Sequence, residues 1–161
     1  MNLDELMTRK VETCGPDDML SCAAQIMWDR DCGCVPVVDS ERRLVGVITD
    51  RDICMAAYTK GRPIQQIAVQ DVMSRDLKTC KPSDSVEVAQ MMMQSHQLRR
   101  LPVVGSTGTL VGVISLSDLT RAAERERNPK MKEVQQRQVE ATLAAVSRPR
   151  IPAPATTTTR A

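Results

Sequence analysis

Two short stretches of the 161-residue chain hold side chains able to do chemistry together: Thr49-Asp50-Arg51-Asp52 and Ser115-Leu116-Ser117-Asp118. In each, a hydroxyl residue stands three positions before an aspartate, where a β-branched run gives way to a helical pattern. A Ser or Thr just ahead of a helix accepts a hydrogen bond from the third helical N–H, and an acid at that third position answers it. Such a cap contributes about 1 kcal/mol, reason enough for the motif to exist. The same geometry also suits a ligand. Helix starts offer free N–H groups and partial positive charge to a phosphate. An aspartate one turn in, aimed at a cleft, has two oxygens that accept from both hydroxyls of a ribose.

Other chemistries find less support. His96 is the sole histidine and falls at the end of a helical pattern, where a cation is favoured. No Ser or Cys has a base and an orienting group in its sequence context, and no glycine-rich phosphate loop of known type occurs. The six cysteines lack zinc spacing: Cys32-Gly33-Cys34 is separated by a single residue, and no second pair completes four ligands. They read as buried or half-buried thiols, with a redox or metal role as the competing assignment. Gly46 and Gly112 are lone strand glycines of the kind that permit close backbone approach.

The elements that position the two motifs are themselves duplicated. Residues 5–53 align with residues 71–119 at a constant offset of 66 without a gap, and eighteen of those positions are identical. Met7-Thr8-Arg9 matches Met73-Ser74-Arg75, Thr13-Cys14 matches Thr79-Cys80, and Pro36-Val37-Val38 matches Pro102-Val103-Val104. Leu44-Val45-Gly46-Val47-Ile48-Thr49 matches Leu110-Val111-Gly112-Val113-Ile114-Ser115. Each copy predicts strand, helix, strand, strand, helix. The first strand is expected near Val11–Cys14 and Leu77–Cys80, and Pro16-Asp17-Asp18 and Pro82-Ser83-Asp84 read as helix-start signals. Leu20, Ala23, Ala24 and Met27 follow the spacing of a helix with one buried face, as do Val86, Ala89 and Met93. Val35–Val38 and Leu44–Ile48 predict a buried hairpin.

The set of Met7, Pro36-Val37-Val38, Leu44-Val45-Gly46-Val47-Ile48 and Thr49-x-x-Asp52, repeated 66 residues later, resembles a tandem cystathionine-β-synthase (CBS) domain pair, also called a Bateman module. The resemblance covers residues 3–123. It implies an α/β fold of the α+β type, two βαββα repeats in pseudo-twofold packing, with repeat 1 over residues 1–60 and repeat 2 over 61–125. It also implies two clefts for adenosine-containing ligands (AMP, ADP, ATP or S-adenosylmethionine) with no obligatory cofactor and no catalysis. By that resemblance Asp52, Thr49, Val35 and Pro36 line one site, and Asp118, Ser115, Leu101 and Pro102 the other. Thr13 and Thr79, at matching places in the copies, complete the set. The sites are unequal: Arg99 and Arg100 precede one strand where the first copy has Gly33 and Cys34, while Arg51 lies inside the first motif only. Arginine beside a phosphate adds a charge-assisted, bidentate hydrogen bond. The site with Arg99 or Arg100 is therefore expected to favour more highly charged ligands, unless both are solvated surface charges.

Beyond the pair the composition changes. Residues 121–161 hold nine Lys/Arg and four Asp/Glu, against thirteen and sixteen in residues 1–120. A helical extension is expected over 126–146, and a Pro- and Thr-rich disordered tail over 147–161. No stretch approaches the length of a membrane span and the N-terminus does not resemble a signal peptide, so the expected location is the cytoplasm. With no Phe and only Trp28 and Tyr58 as aromatics, recognition of nucleic acid by base stacking is disfavoured. The family resemblance adds a homodimer formed through helix faces and an effector protein of unknown identity; Ile26, Met27, Met91, Met92 and Met93 are candidate contacts, with intrachain core as the competing assignment that some of them must fill. The competing reading is a scaffold or stress-response protein with vestigial clefts, acting through its basic tail.

Overall fold

The computed structural model describes residues 1–125 and 129–149. Its regular elements are α1 (Leu20–Asp29), β1 (Cys34–Val38), β2 (Leu44–Thr49), α2 (Asp50–Lys60), α3 (Val86–His96), β3 (Arg100–Val104), β4 (Leu110–Ser115), α4 (Leu116–Arg125) and α5 (Pro129–Val146). The expected disordered tail lies outside the described residues from 150 onward.

The duplication is carried into three dimensions. β1 pairs antiparallel with β2, and β3 with β4, in matching registers: Cys34 opposite Thr49 and Arg100 opposite Ser115, each with an irregularity before the last pair. The expected first strand of each copy is reduced to one parallel bridge, Cys14 to Val37 and Cys80 to Val103. Only one residue of each stretch lies against a partner strand, so no ladder propagates. The helix starts also move. Asp18 and Asp84 do not open helices; they close turns by accepting from the backbone N–H of Gly15 and Lys81, both at 2.7 Å. α1 and α3 begin after Met19 and Ser85, neither of which provides a side-chain cap.

What caps those helices comes from the other repeat's leader. Leu20 N–H donates to the Ile67 carbonyl at 2.9 Å, and Val86 N–H to the Met1 carbonyl at 3.4 Å. Each leader then crosses to the other sheet. Ser74 pairs with Val47 of the first repeat, and Thr8 with Val113 of the second. Leu3 and Met7 are accordingly buried in the core of the second repeat with Leu101, Val103, Ile114 and Met93. Ile67, Val69 and Met73 are buried with Leu20, Val35, Val37 and Ile48 of the first. The close approach expected at the strand glycines is present: a Cβ on Gly46 would sit 2.3 Å from Met73 Sδ, and one on Gly112 2.7 Å from Met7 Sδ. The hairpin turns also meet, with Leu44 N–H donating to Gly108 and Leu110 N–H to Arg42, at 3.1 and 3.0 Å.

α5 lies on α3 and α4 and buries Val139 and Val146 in the second repeat's core. Gln94 Nε2 donates to Thr142 Oγ1 at 2.8 Å across that contact. Met27 and Met93, proposed from sequence as intersubunit contacts, are core residues of their own repeats, and Ile26 and Met92 pack partly against those cores. Met91 stays exposed. The chain's two aromatic residues, Trp28 on α1 and Tyr58 on α2, stand almost fully in solvent at 85 % and 84 % exposed.

Candidate functional site

Both Thr/Ser-x-x-Asp motifs are built as the spacing predicts, one strand ending and one helix starting at the hydroxyl residue. At the first, Asp52 Oδ2 accepts from Thr49 N at 2.9 Å and from Thr49 Oγ1 at 2.7 Å, while Asp52 N–H donates to Thr49 Oγ1 at 3.3 Å. At the second, Asp118 Oδ2 accepts from Ser115 N at 2.9 Å and Ser115 Oγ at 2.6 Å, and Asp118 N–H donates to Ser115 Oγ at 3.2 Å. One carboxylate oxygen in each motif therefore belongs to the cap. The other oxygen differs. Among the described residues nothing bonds Asp52 Oδ1, and Asp52 is half-buried. Asp118 Oδ1 instead receives Nη2 of Arg121, and Asp118 is only 8 % exposed.

The remaining candidates fall around these motifs in two ways. Val35, Pro36, Leu101 and Pro102 are buried in the hairpins, so their side chains serve the core as much as a cleft. Thr13 and Thr79 are half-buried, one residue ahead of the bridges that tie Cys14 and Cys80 to β1 and β3. Arg51 and Arg99 are exposed. Arg100 is exposed too and stands opposite Ser115 in the sheet register. Its charge is also felt at Cys34, the residue opposite Thr49. Burial pushes the Cys34 thiol up to about 11; Arg100 opposes that shift, while Cys32, Asp52 and Asp50 reinforce it. A single arginine thus lies within electrostatic range of both motifs, whereas sequence position had attached it to the second alone.

An open cleft of about 670 Å³ borders the second motif. Its walls are Asp118, Arg121 and Ala122 of α4 and the leader residues Glu5 and Thr8. Neither Arg121 nor the leader residues figured among the sequence candidates. Arg121 had a legible signal, a cation three residues after an acid on a helix, which places the two on one face. The leader had none, because its crossing to the second repeat is a long-range event.

The cysteines divide unevenly: Cys14 and Cys80 are buried, Cys32 and Cys34 half-buried, and Cys22 and Cys54 exposed, which corrects the expectation for the last two. Burial raises Cys14 to about 12 and Cys80 to about 11, so these thiols behave as small apolar groups. Among the described residues no cluster of three His, Cys, Asp or Glu is placed to hold a metal. No described helix is long and apolar enough to cross a membrane.

A chain folded as two matching α/β repeats, each with a capped Thr/Ser-x-x-Asp at its strand-to-helix junction, belongs to the class of tandem-repeat modules. The CBS domain model matches residues 3–58 and again 69–125, and the chain belongs to the CBS-domain family as a tandem pair. It is 38% identical over 118 residues to the CBS domain-containing protein YhcV of Bacillus subtilis, covering 73% of this chain and 82% of that one. A crystal structure of a CBS-domain protein from Agrobacterium tumefaciens superposes with a TM-score of 0.67 at 27% identity, covering 76% of this chain and 98% of that one. CBSX2, crystallised in complex with AMP, shares the fold with a TM-score of 0.69 at 24% identity, over 77% of this chain and 96% of its own.

Proposed function

We propose that this chain is a non-catalytic sensor that binds adenosine-containing ligands of the AMP, ADP, ATP or S-adenosylmethionine class beside its two Thr/Ser-x-x-Asp motifs. The ligand then biases the packing of the repeats, and an effector protein in the cytoplasm reads the change. The observation that carries the proposal is the unengaged Oδ1 of Asp52. Its sister oxygen already satisfies the helix start, so the cap does not account for the whole carboxylate. A ribose supplies the hydroxyl donors that such an oxygen lacks. CBSX2, which shares this fold, was crystallised in complex with AMP, and that supports the reading.

Signalling by population shift needs a ligand with different affinity for two arrangements. The crossed leaders supply the mechanical link, because each repeat's core contains a segment of the other's leader. A ligand that tightens one sheet therefore bears on both.

The test is a thermal-shift series with AMP, ADP, ATP, S-adenosylmethionine and NAD. A ligand at about 100 times its Kd stabilises by about 2.7 kcal/mol, a clear shift for a chain of this size. The shift should shrink in Asp52→Asn, which retains one acceptor oxygen for the cap and loses the second. No shift with any of the five compounds overturns the proposal and favours the scaffold reading.

A further inference from the structure

Three residues beyond each motif's aspartate, the two copies differ in a way that bears on the carboxylates. Arg121 stands one turn after Asp118, and 66 residues earlier the same place is held by Met55. Arg121 Nη2 engages Asp118 Oδ1, so the second carboxylate has both oxygens occupied where the first has one. The Arg121 side chain is 60 % exposed and moves at little cost, while Asp118 is nearly enclosed. Of the side chains lining the adjacent cleft, Glu5 and Asp118 carry carboxylates and Arg121 carries the positive charge.

We infer that Arg121 is the specificity-determining residue of the second cleft, admitting phosphorylated adenosine ligands and discriminating against uncharged or cationic ones. The inference rests on the reading that Asp118 accepts ribose hydroxyls. A ribose that docks there must take Oδ1 from Arg121. The guanidinium keeps its charge and cannot follow by losing a proton. A phosphate arriving on the same ligand gives it a new anion with matching fork geometry, so one charge pair is exchanged for another. Adenosine breaks the pair and replaces it with nothing. S-adenosylmethionine, with its sulfonium and ammonium groups, brings positive charge toward the displaced guanidinium. The first motif has Met55 at this place and an Asp52 oxygen that no described residue occupies, so a ligand there is taken, neutral or charged, with less distinction.

The experiment is calorimetric titration of the full chain with AMP and with adenosine. Asp52→Asn isolates the second cleft, and Arg121→Met and Arg121→Gln are then added to it; both replace an exposed side chain, and matching thermal melts confirm the fold. Losing a charge-assisted hydrogen bond should weaken AMP about tenfold, and removing the internal competitor should strengthen adenosine by up to about fivefold. In the reciprocal background Asp118→Asn, Met55→Arg should create a preference for AMP over adenosine at the first cleft. An AMP-to-adenosine ratio that Arg121→Met and Arg121→Gln leave unchanged overturns the inference while the ligand-sensor reading stands. So does loss of all binding in Asp52→Asn when the wild-type protein binds. Failure of the wild-type protein to bind either compound removes both.

Discussion

Replacing Gly112 with alanine should destabilise the protein by about 2–3 kcal/mol, and the cost arises where the N-terminal leader crosses the second repeat. The added Cβ would lie 2.7 Å from Met7 Sδ, 3.1 Å from Met7 Cγ and 2.9 Å from the Thr8 carbonyl oxygen. Met7 is a flexible side chain and can rotate in part. Thr8 cannot. Its carbonyl accepts from Val113 N–H at 3.0 Å, and its own N–H donates to the Val113 carbonyl at 2.9 Å. Moving it weakens two hydrogen bonds, each worth about 1 kcal/mol, on top of about 1–3 kcal/mol for overpacking. Alanine's lower backbone entropy in a strand returns about 0.5–1 kcal/mol. The pseudo-equivalent Gly46→Ala meets the flexible Met73 side chain first, with its three nearest atoms at 2.3 Å (Sδ), 2.9 Å (Cγ) and 3.3 Å (Cβ). It should cost about 1 kcal/mol, near the lower end of overpacking penalties. Coupling of Gly46→Ala with Met73→Ala should recover most of that penalty, whereas Met7→Ala should recover only part of the Gly112→Ala penalty. Urea unfolding followed by far-UV circular dichroism measures the four single and two double variants against the wild type. A Gly112→Ala midpoint equivalent to less than about 0.5 kcal/mol of change, the level of an inert surface substitution, would refute the crossed-leader packing.

Thr49→Ala removes the hydroxyl that accepts from Asp52 N–H and should lower the stability of the ligand-free protein by about 1 kcal/mol in the same urea assay. Thr142→Val leaves Gln94 without its acceptor beneath α5; a loss of about 1–2 kcal/mol is expected in denaturant titration, and no loss would mean that α5 does not rest on α3 as described. Stability should also fall in alkali. Cys14 titrates near 12 and Cys34 and Cys80 near 11 in the fold, all raised from 9.0 chiefly by burial. The unfolded chain therefore releases these protons first as pH climbs. Their contribution is complete below pH 9, declines between pH 9 and 12, and makes the urea midpoint drop over that window. Cys34→Ala should flatten the fall between pH 9 and 11, and an unchanged slope would show that Cys34 is not shielded from solvent.

The linear sequence by itself determined the duplication, the presence of a hairpin in each copy, the buried faces of α1 and α3, and the capping geometry at Thr49 and Ser115. These depend on neighbours a few residues apart or on identity at a fixed offset, so spacing alone carries them. It also marked Gly46 and Gly112 as places of close approach without saying what approaches. Tertiary structure decided the rest. Met7 reaches Gly112 and Met73 reaches Gly46 because each leader crosses to the other sheet, and no local pattern encodes which sheet a leader joins. The expected strands at Val11–Cys14 and Leu77–Cys80 shrank to single bridges, since strand propensity yields a ladder only where a partner runs alongside. Met27 and Met93 proved to be core, because an apolar helix face reads the same whether it meets its own chain or another. The unequal fates of Asp52 and Asp118 follow from Arg121 and Met55, side chains whose roles depend on where they point once the helices are docked.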